Sequence, residues 1–542
     1  MNTTNRLVLL IFIVFFASVA YGQQVKYWIG FTDKDNNDFS LFHPEEFLSE
    51  KSIERRKVQK IDIDLKDLPV SKKYIDSISR LGLNMIYSLK WLNGVVVEGD
   101  STVPYALFTT SFVKDVRKIY DSGNKKFAKI KKLTVDKNIP DFGDSRHQIE
   151  MMNGHFLHNL GFKGNGMTIA VLDAGFTGVD QLQGFSDLFN TGRILTTRDF
   201  VDMTDSVFHS NTHGTKVLSL MAGFLEGIYH GTAIDANYLL LRTEDSNSEQ
   251  PIEMYNWIAG AEFADSFGVD IINSSLGYSS FDNPDDSYYF EELDGNTTIV
   301  TIGADIAASK GILVVASAGN EGNDPWKYIV APSDGDSVLC VAAVDSLKKH
   351  AWFSSIGPRS DKVLKPDVAA MGNLAYVFSL SGFTEQGSGT SYSAPLVSGM
   401  SASLWQAFPT LKNSDIIRAI QVSGDSVYNL NPFTGYGIPD FEKAYSYLNN
   451  RLNNIQSENR IMVYPTFFND YFNLELLEYG YDKILLEMYN SHGIKVIDKA
   501  IRSAEIVNNT VQIKSLSNLA PGFYIVRVSL GEYFKTYKLF KF

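Results

Sequence analysis

Four short stretches of this 542-residue chain carry side chains that can do chemistry. The apolar run Met167–Leu172 ends in Asp173, followed by the small residues Ala174 and Gly175. A carboxylate at the C-terminal end of a buried strand lies where open parallel sheets place their ligands, although an Asp there also serves as a turn or helix cap. In Asn211–Gly223, His213 stands where an apolar-periodic helix begins, and Gly214 permits close backbone approach. His209 precedes it at the i, i+4 spacing of zinc-binding helices, but Ser210 occupies the place where the metalloprotease form needs Glu. Ser391 lies in Gly387-Ser388-Gly389-Thr390-Ser391-Tyr392-Ser393-Ala394-Pro395, ahead of the helical pattern Leu396–Phe408. Its hydroxyl is either an N-cap or an oxygen that a substrate backbone can approach between small neighbours. A helix N-terminus favours negative charge developing there, and the stretch does not fit the G-x-S-x-G elbow of the α/β-hydrolases. Asn320, in Ala316–Gly322 after the apolar run Ile312–Val315, is either a turn residue between glycines or an amide aimed at a developing oxyanion.

The elements that must position these residues follow from the apolar pattern. Short apolar runs at Met167–Leu172, Tyr238–Leu241, Ile271–Asn273, Ile312–Ala316 and Val338–Ala343 alternate with helix-length amphipathic segments. Strands spaced by helices predict an α/β fold with a parallel sheet. Ahead of it, strand patterns at Val25–Phe31, Gly94–Val97 and Phe112–Val116 flank helical patterns at Pro44–Val58 and Ser71–Leu81, which predicts a small α+β unit. Thr134–Asp144, with Pro140 and Gly143, reads as an exposed linker, and the Asn-rich Asn449–Asn459 as a second one. From Ile461 onward, short alternating strands such as Lys483–Met488 and Gly522–Val528 predict a small β-sandwich.

Composition narrows the function. Hydrophobic residues at 44% and charged residues at 20% exclude a largely disordered chain. A net charge of −13 argues against a sequence-blind nucleic-acid binder, so no nucleic-acid partner is expected. The single cysteine, Cys340, cannot form an intramolecular disulfide, and no cysteine cluster exists to hold zinc. At the start, Arg6 precedes the apolar run Leu7–Phe16, and Ala20-Tyr21-Gly22 is a small-x-small pattern. The run is too short to span a bilayer, which needs about 20 residues, so residues 1–22 read as a signal peptide rather than an anchor. The charge is uneven: residues 23–140 hold 21 basic against 16 acidic residues, residues 141–456 hold 17 against 37, and residues 457–542 hold 10 against 9. Neighbouring regions of opposite sign attract within a Debye length or so.

Taken together, the four motifs resemble the subtilisin-like serine peptidases, the subtilase family, over roughly Ser145 to Leu448 and in family order. The resemblance implies a subtilisin-like α/β fold, a parallel sheet with helices on both faces, and an Asp-His-Ser triad acting through an acyl-enzyme. Carried over by motif, Asp173 orients and charge-stabilises the imidazole, His213 is general base and then acid, and Ser391 is the nucleophile. Asn320 and the Ser391 N–H then serve the oxyanion. Ile272–Gly277 resembles the family strand that pairs with an extended substrate, and the resemblance implies substrate-binding roles for Ser275, Leu276, Gly277 and Gly319. Phe353–Pro358 and Lys365–Ala370 are further family signposts. Departures are Ala174 after the aspartate, Met371 in place of a usual proline, and Tyr392-Ser393 in place of the commoner Met-Ala pair.

The resemblance extends to the flanks. Residues 23–140 resemble the inhibitory propeptide such enzymes carry, residues 141–456 the peptidase domain, and residues 457–542 the C-terminal sorting domain of Bacteroidetes proteins exported by the type IX system. The partners implied are polypeptide substrates, the chain's own propeptide as intramolecular inhibitor, and the type IX machinery. Export through periplasm and outer membrane to the medium or cell surface follows. The chemistry requires no cofactor and no metal. Structural calcium is left open, because Phe224–Tyr229 offers only Glu226, and Asp282, Asp285 and Asp286 read as a solvated acidic loop without EF-hand spacing. Three rivals make different demands. An inactive binding protein on this scaffold would lack a triad member, an esterase would need another nucleophile motif, and an adhesin would explain the tail but not the triad.

Overall fold

The computed structural model describes residues 25–99, 105–121, 142–456, 461–477, 483–502, 505–506, 509–531 and 533–542. The expected signal peptide and most of the first expected linker lie outside the described residues. The chain divides into two compact units, Met1–Glu442 and Lys443–Phe542.

The first unit begins with a four-stranded antiparallel sheet. Strands β1 (Val25–Phe31), β2 (Asn84–Leu89), β3 (Gly94–Gly99) and β4 (Val113–Asp121) pair in the order β2-β3-β1-β4, with helices α1 (Glu50–Gln59) and α2 (Lys72–Ser79) between β1 and β2. Alternation sorts the sheet's two faces. Val25, Tyr27, Ile29 and Phe31 pack with Val95, Val97 and the α2 residues Tyr74 and Ile78. Trp28, Val96 and Ile119 point the other way and share a core with residues of the following α/β layer, including Tyr255 and Trp257. Helix α1 starts at Ser49, whose Oγ accepts the Ser52 N–H at 3.1 Å, and stops at Lys60 in the left-handed region. Strand β2 was absent from the sequence pattern because its burial is irregular, with Met85 exposed and a bulge between Met85 and Tyr87.

The large sheet has seven parallel strands. They are β5 (Thr168–Asp173), β6 (Ile194–Asp199), β7 (Asn237–Arg242), β8 (Ile271–Ser274), β9 (Leu313–Ser317), β10 (Leu339–Val344) and β11 (Val368–Met371), in the order β11-β10-β9-β8-β5-β7-β6. Every residue of β5, β8 and β9 is buried, as expected for strands covered on both faces. Ala170, Leu172, Leu239, Leu241, Ile272, Val314 and Ala316 face helices α4 (Ile252–Phe267) and α5 (Ile299–Ser309). Helices α3 (His213–Ala222) and α6 (Thr390–Ala407) pack on each other and against β5, β8 and β9. An antiparallel pair, β12 (Ala375–Phe378) with β13 (Thr384–Gly387), precedes α6.

Helix α1 lies across the C-terminal ends of α4 and α5. The C-terminal turns of helices leave carbonyls without intrahelical partners, and α1 supplies donors. Arg55 reaches the carbonyls of Val269 and Lys310, Ser49 Oγ that of Phe267, and Gln59 that of Gly311. Charge follows the same route. Asp265, fully buried near the end of α4, meets Arg55, Arg56 and Lys90, while Lys310 meets Asp64 and Asp67. The regions of opposite net charge therefore meet through buried ion pairs.

The second expected linker is corrected. Asn449–Gln456 belongs to helix α7 (Phe441–Gln456), because Phe441, Ala444 and Leu448 recur on one face and are fully buried. An apolar stripe outweighs the few tenths of a kcal/mol by which each Asn disfavours a helix. Beyond it, Ile461–Tyr464, Phe472–Leu476 and Thr510–Ile513 form a three-stranded sheet. A five-stranded sheet runs in the order Phe467–Phe468, Tyr533–Lys541, Gly522–Leu530, Lys483–Asn490, Lys495–Arg502. The two sheets close on one core that includes Ile461, Leu474, Val511, Ile484, Leu486 and Val526, a β-sandwich.

Candidate active site

The four chemistry-bearing motifs converge where β5, β8 and β9 end and α3 and α6 begin. Asp173 closes β5 with its side chain fully buried. Its Oδ1 accepts the Ala174 N–H at 2.8 Å, so it does serve its own turn. The same carboxylate also meets His213 Nδ1, at 2.8 Å from Oδ1 and 3.0 Å from Oδ2. His213 is the first residue of α3, and its N–H donates to Asn211 Oδ1 at 2.9 Å. Gly214 is what allows the helix to start so close to β5, since a Cβ there would lie 2.5 Å from the Gly175 carbonyl oxygen. Desolvation disfavours the charged imidazole, but the Asp173 charge and hydrogen bond outweigh it, and the His213 pKa is raised above 6.5.

Ser391 is the second residue of α6 and nearly buried. It is not the cap: Gly389 holds that position, and the Ser391 Oγ donates to the Ser275 carbonyl at 3.2 Å. Ser275 Oγ in turn donates to the Ser391 carbonyl at 2.9 Å, locking the end of β8 to the start of α6. No hydrogen bond joins His213 to Ser391 among the described residues. Catalytic contacts are often long in an unliganded site and tighten only with substrate. The Ser391 N–H belongs to the first turn of α6, where amides have no intrahelical acceptor.

Asn320 follows β9 and is exposed. Its Oδ1 accepts the Thr390 N–H at 2.9 Å and the Thr390 hydroxyl at 3.1 Å. Because an N–H can only face the oxygen end of an amide, this fixes the side chain's orientation and leaves Nδ2 as its free end. Thr390 also bonds Gly319, whose φ of +109° favours glycine. Across the cleft, Leu276 is half-buried and Gly277 exposed, and a Cβ on Gly277 would meet Val330 Cγ2 at 2.2 Å. Asp173, His213, Ser391, Asn320, Ser275, Leu276, Gly277 and Gly319 are thus brought to one edge of the sheet.

Other groups found there were not singled out from sequence. Thr390, which holds Asn320, looked like an ordinary residue beside the serine. Arg242 ends β7 and pairs with Asp199 at 2.8 Å and Asp202 at 2.6 Å, tying down the loop that leads to His213. Asp199, Asp202 and His209 are close enough together for a cation, but Arg242 already supplies the positive charge, so the donor set does not fit a metal. His209 meets the Ser206 carbonyl at 2.9 Å while His213 meets Asp173, so the two imidazoles do not form a zinc pair. Asp285 and Asp286 are exposed as expected, but Asp282 is half-buried and accepts the Glu249 N–H at 3.1 Å.

A carboxylate-bound imidazole, a serine at a helix start and an oriented amide thus share one edge of a parallel sheet. Family models match three stretches of the chain. Residues 164–437 match the Subtilase family, residues 26–134 the Peptidase S8 propeptide domain of Bacteroidota, and residues 462–541 the Secretion system C-terminal sorting domain. The chain belongs to the subtilase family and is a subtilisin-like serine endopeptidase with a propeptide domain. It is 28% identical over 319 residues to a thermostable alkaline protease of Halalkalibacterium halodurans, covering 59% of this chain and 76% of that protein. It is 30% identical over 272 residues to subtilisin NAT of Bacillus subtilis subsp. natto, covering 49% of this chain and 63% of that protein. A solved structure, MycP1 with its N-terminal propeptide removed, aligns at a TM-score of 0.45 and 22% identity, over 55% of this chain and 96% of that one. The sorting domain marks the protein for export to the medium or the cell surface. No helix among the described residues is long and apolar enough to cross a membrane.

Proposed function

We propose that Asp173, His213 and Ser391 are the catalytic triad of this secreted endopeptidase and that peptide bonds are cleaved through an acyl-enzyme. Ser391 Oγ attacks the scissile carbonyl carbon while its proton passes to His213 Nε2. The carbonyl π electrons move to oxygen, where the Asn320 Nδ2–H and the Ser391 N–H donate to the oxyanion. Asp173 stabilises the imidazolium through Nδ1 and does not itself take the proton. Collapse of the tetrahedral species breaks the C–N bond, His213 gives its proton to the leaving amine, and Ser391 is left as an ester. Water, deprotonated by His213, then attacks the ester and returns Ser391 and the free carboxyl product. Ser275, Leu276, Gly277 and Gly319 line the strand-addition groove for an extended polypeptide.

The domains proposed are a signal peptide over residues 1–22, a propeptide over 23–140, the peptidase over 141–456 and the sorting domain over 457–542. The propeptide acts as intramolecular inhibitor, and the type IX machinery exports the chain. The observation that carries the catalytic reading is the Asp173–His213 pair at 2.8 Å on the sheet edge that also holds Ser391 and an oriented Asn320. The chain is expected to cut itself between Asp121 and Asp144, after the last propeptide strand. Intact-mass measurement of a Ser391→Ala chain expressed alone should find that segment uncut. Normal processing in that variant would overturn self-cleavage.

A further inference from the structure

Tyr392, the residue after the nucleophile, has no part in the mechanism above, yet it stands against the base. Its ring centroid lies 6.3 Å from that of His213 with the planes only 28° apart. The ring is nearly buried and packs closely on β13, where a Cβ on Gly387 would lie 2.6 Å from Tyr392 Cε2. Glycine at 387 leaves the room that the ring fills. Asp173 holds Nδ1 almost equally with both oxygens, at 2.8 and 3.0 Å, which fixes the point of attachment but constrains the tilt of the imidazole weakly. A parallel aromatic face supplies that missing constraint.

We propose that Tyr392 is a positioning residue: its ring fixes the plane of the His213 imidazole and favours the imidazolium that forms as Ser391 attacks. The inference rests on the reading of His213 as general base. The charge on His213 is transient, so a π face stabilises the transition state more than the ground state, which is the condition for raising kcat rather than lowering KM. The other charged groups around the imidazole are accounted for. Asp173 of β5 favours the imidazolium. Lys216, one turn along α3, opposes it but is paired with Glu385 of β13 at 2.7 Å. Glu385 and Asp173 also disfavour ionising the Tyr392 phenol, whose pKa burial pushes up to about 12, so the ring stays neutral through the working range. The Ser391 hydroxyl must turn from the Ser275 carbonyl to meet Nε2, and an imidazole whose plane is already set removes one search from that step.

The test uses the full chain after processing, with active sites counted by a serine-directed covalent titrant. Tyr392→Leu should lower kcat about three- to tenfold, the range that an aromatic or cation–π contact supplies, with KM held within about twofold. The acid limb of kcat/KM should move down by about half a pH unit, since the imidazolium has lost a favourable face. Tyr392→Phe, which keeps the ring, should match the parent in both. Unchanged kcat and acid limb in Tyr392→Leu, or equal losses in Phe and Leu, would overturn the proposal. Should the leucine chain fail to fold, Tyr392→Met fills the same space with a flexible chain that cannot hold a plane, and the same comparison applies. Ser391→Ala is measured in parallel. If it keeps activity the triad reading fails whatever Tyr392 does, and if it is inactive while Tyr392→Leu is unaffected, positioning alone fails.

Discussion

Asp173 and Asp265 are both fully buried aspartates in the same unit, and they differ in what surrounds them. Asp265 is surrounded by Arg55, Arg56 and Lys90, with the two closest Arg56 contacts at 2.9 Å. Burial alone would raise its pKa, but the charges of Lys90, Arg55 and Arg56 pull it down to about 2. Three cations converge on this one carboxylate, so its oxygens are fully engaged. Among the described residues, the ionisable side chain hydrogen-bonded to Asp173 is His213, whose charge can change near neutrality. Around it lie groups with capacity to spare, the free end of Asn320 and the first-turn amide of Ser391. Saturated buried charge acts as a fastener between the propeptide and the ends of α4 and α5, whereas the sheet edge keeps neutral donors such as the Asn320 amide free.

That contrast can be broken from either side. The largest expected effect is at the edge. Ser391→Ala or His213→Ala should lower kcat by about 10⁶, the loss seen on removing subtilisin's own serine or histidine. The double variant should be hardly worse than either single one, because the groups act as a unit. Additive losses would show two independent contributions instead.

Next comes the fastener. In an uncut Ser391→Ala chain, Asp265→Ala strands three cations and should destabilise the fold by about 3–5 kcal/mol, read by denaturant unfolding. Asp285→Ala, on an exposed loop, is the control and should change stability by less than about 0.5 kcal/mol. Because the folded pKa of Asp265, about 2, lies below the ordinary 3.8, its stabilisation is fully present above roughly pH 4. It is lost as pH falls towards 2. A loss under about 1 kcal/mol, as for a surface pair, would mean that the cluster is not the anchor.

A smaller effect is expected at Asn320. Asn320→Ala should reduce kcat by about 10² to 10³, since the Ser391 N–H still serves the oxyanion. A raised KM at constant kcat would instead make Asn320 a substrate-binding group.

The sequence and the structure part company in an instructive way. Asp173, His213, Asn320 and Ser391 are legible because each stands at the junction of an apolar run and glycine or small residues, which is where a backbone must come close to something else. The Asp265 cluster is not legible. Its members lie on Arg55, Arg56, Lys90 and Asp265, separated by up to 210 residues, and only the opposite net charges of the two regions hint at it. Side-chain orientations that sequence left open are fixed by contacts along the chain. Thr390 orients the Asn320 amide, and Ser391, with Gly389 in the cap position, reaches the Ser275 carbonyl. The linker expected at Asn449–Asn459 misread asparagine content, since the helix there is set by Phe441, Ala444 and Leu448.

The most direct test of the central claim is covalent labelling of the processed enzyme by a serine-directed fluorophosphonate, with the site located by mass spectrometry and the rate followed against pH. One adduct on Ser391 is expected. Its rate should fall as pH drops through the His213 pKa, which lies above 6.5, and should collapse in His213→Ala. An adduct on another residue, or a labelling rate that survives removal of His213, would contradict the assignment of Asp173, His213 and Ser391 as one catalytic unit.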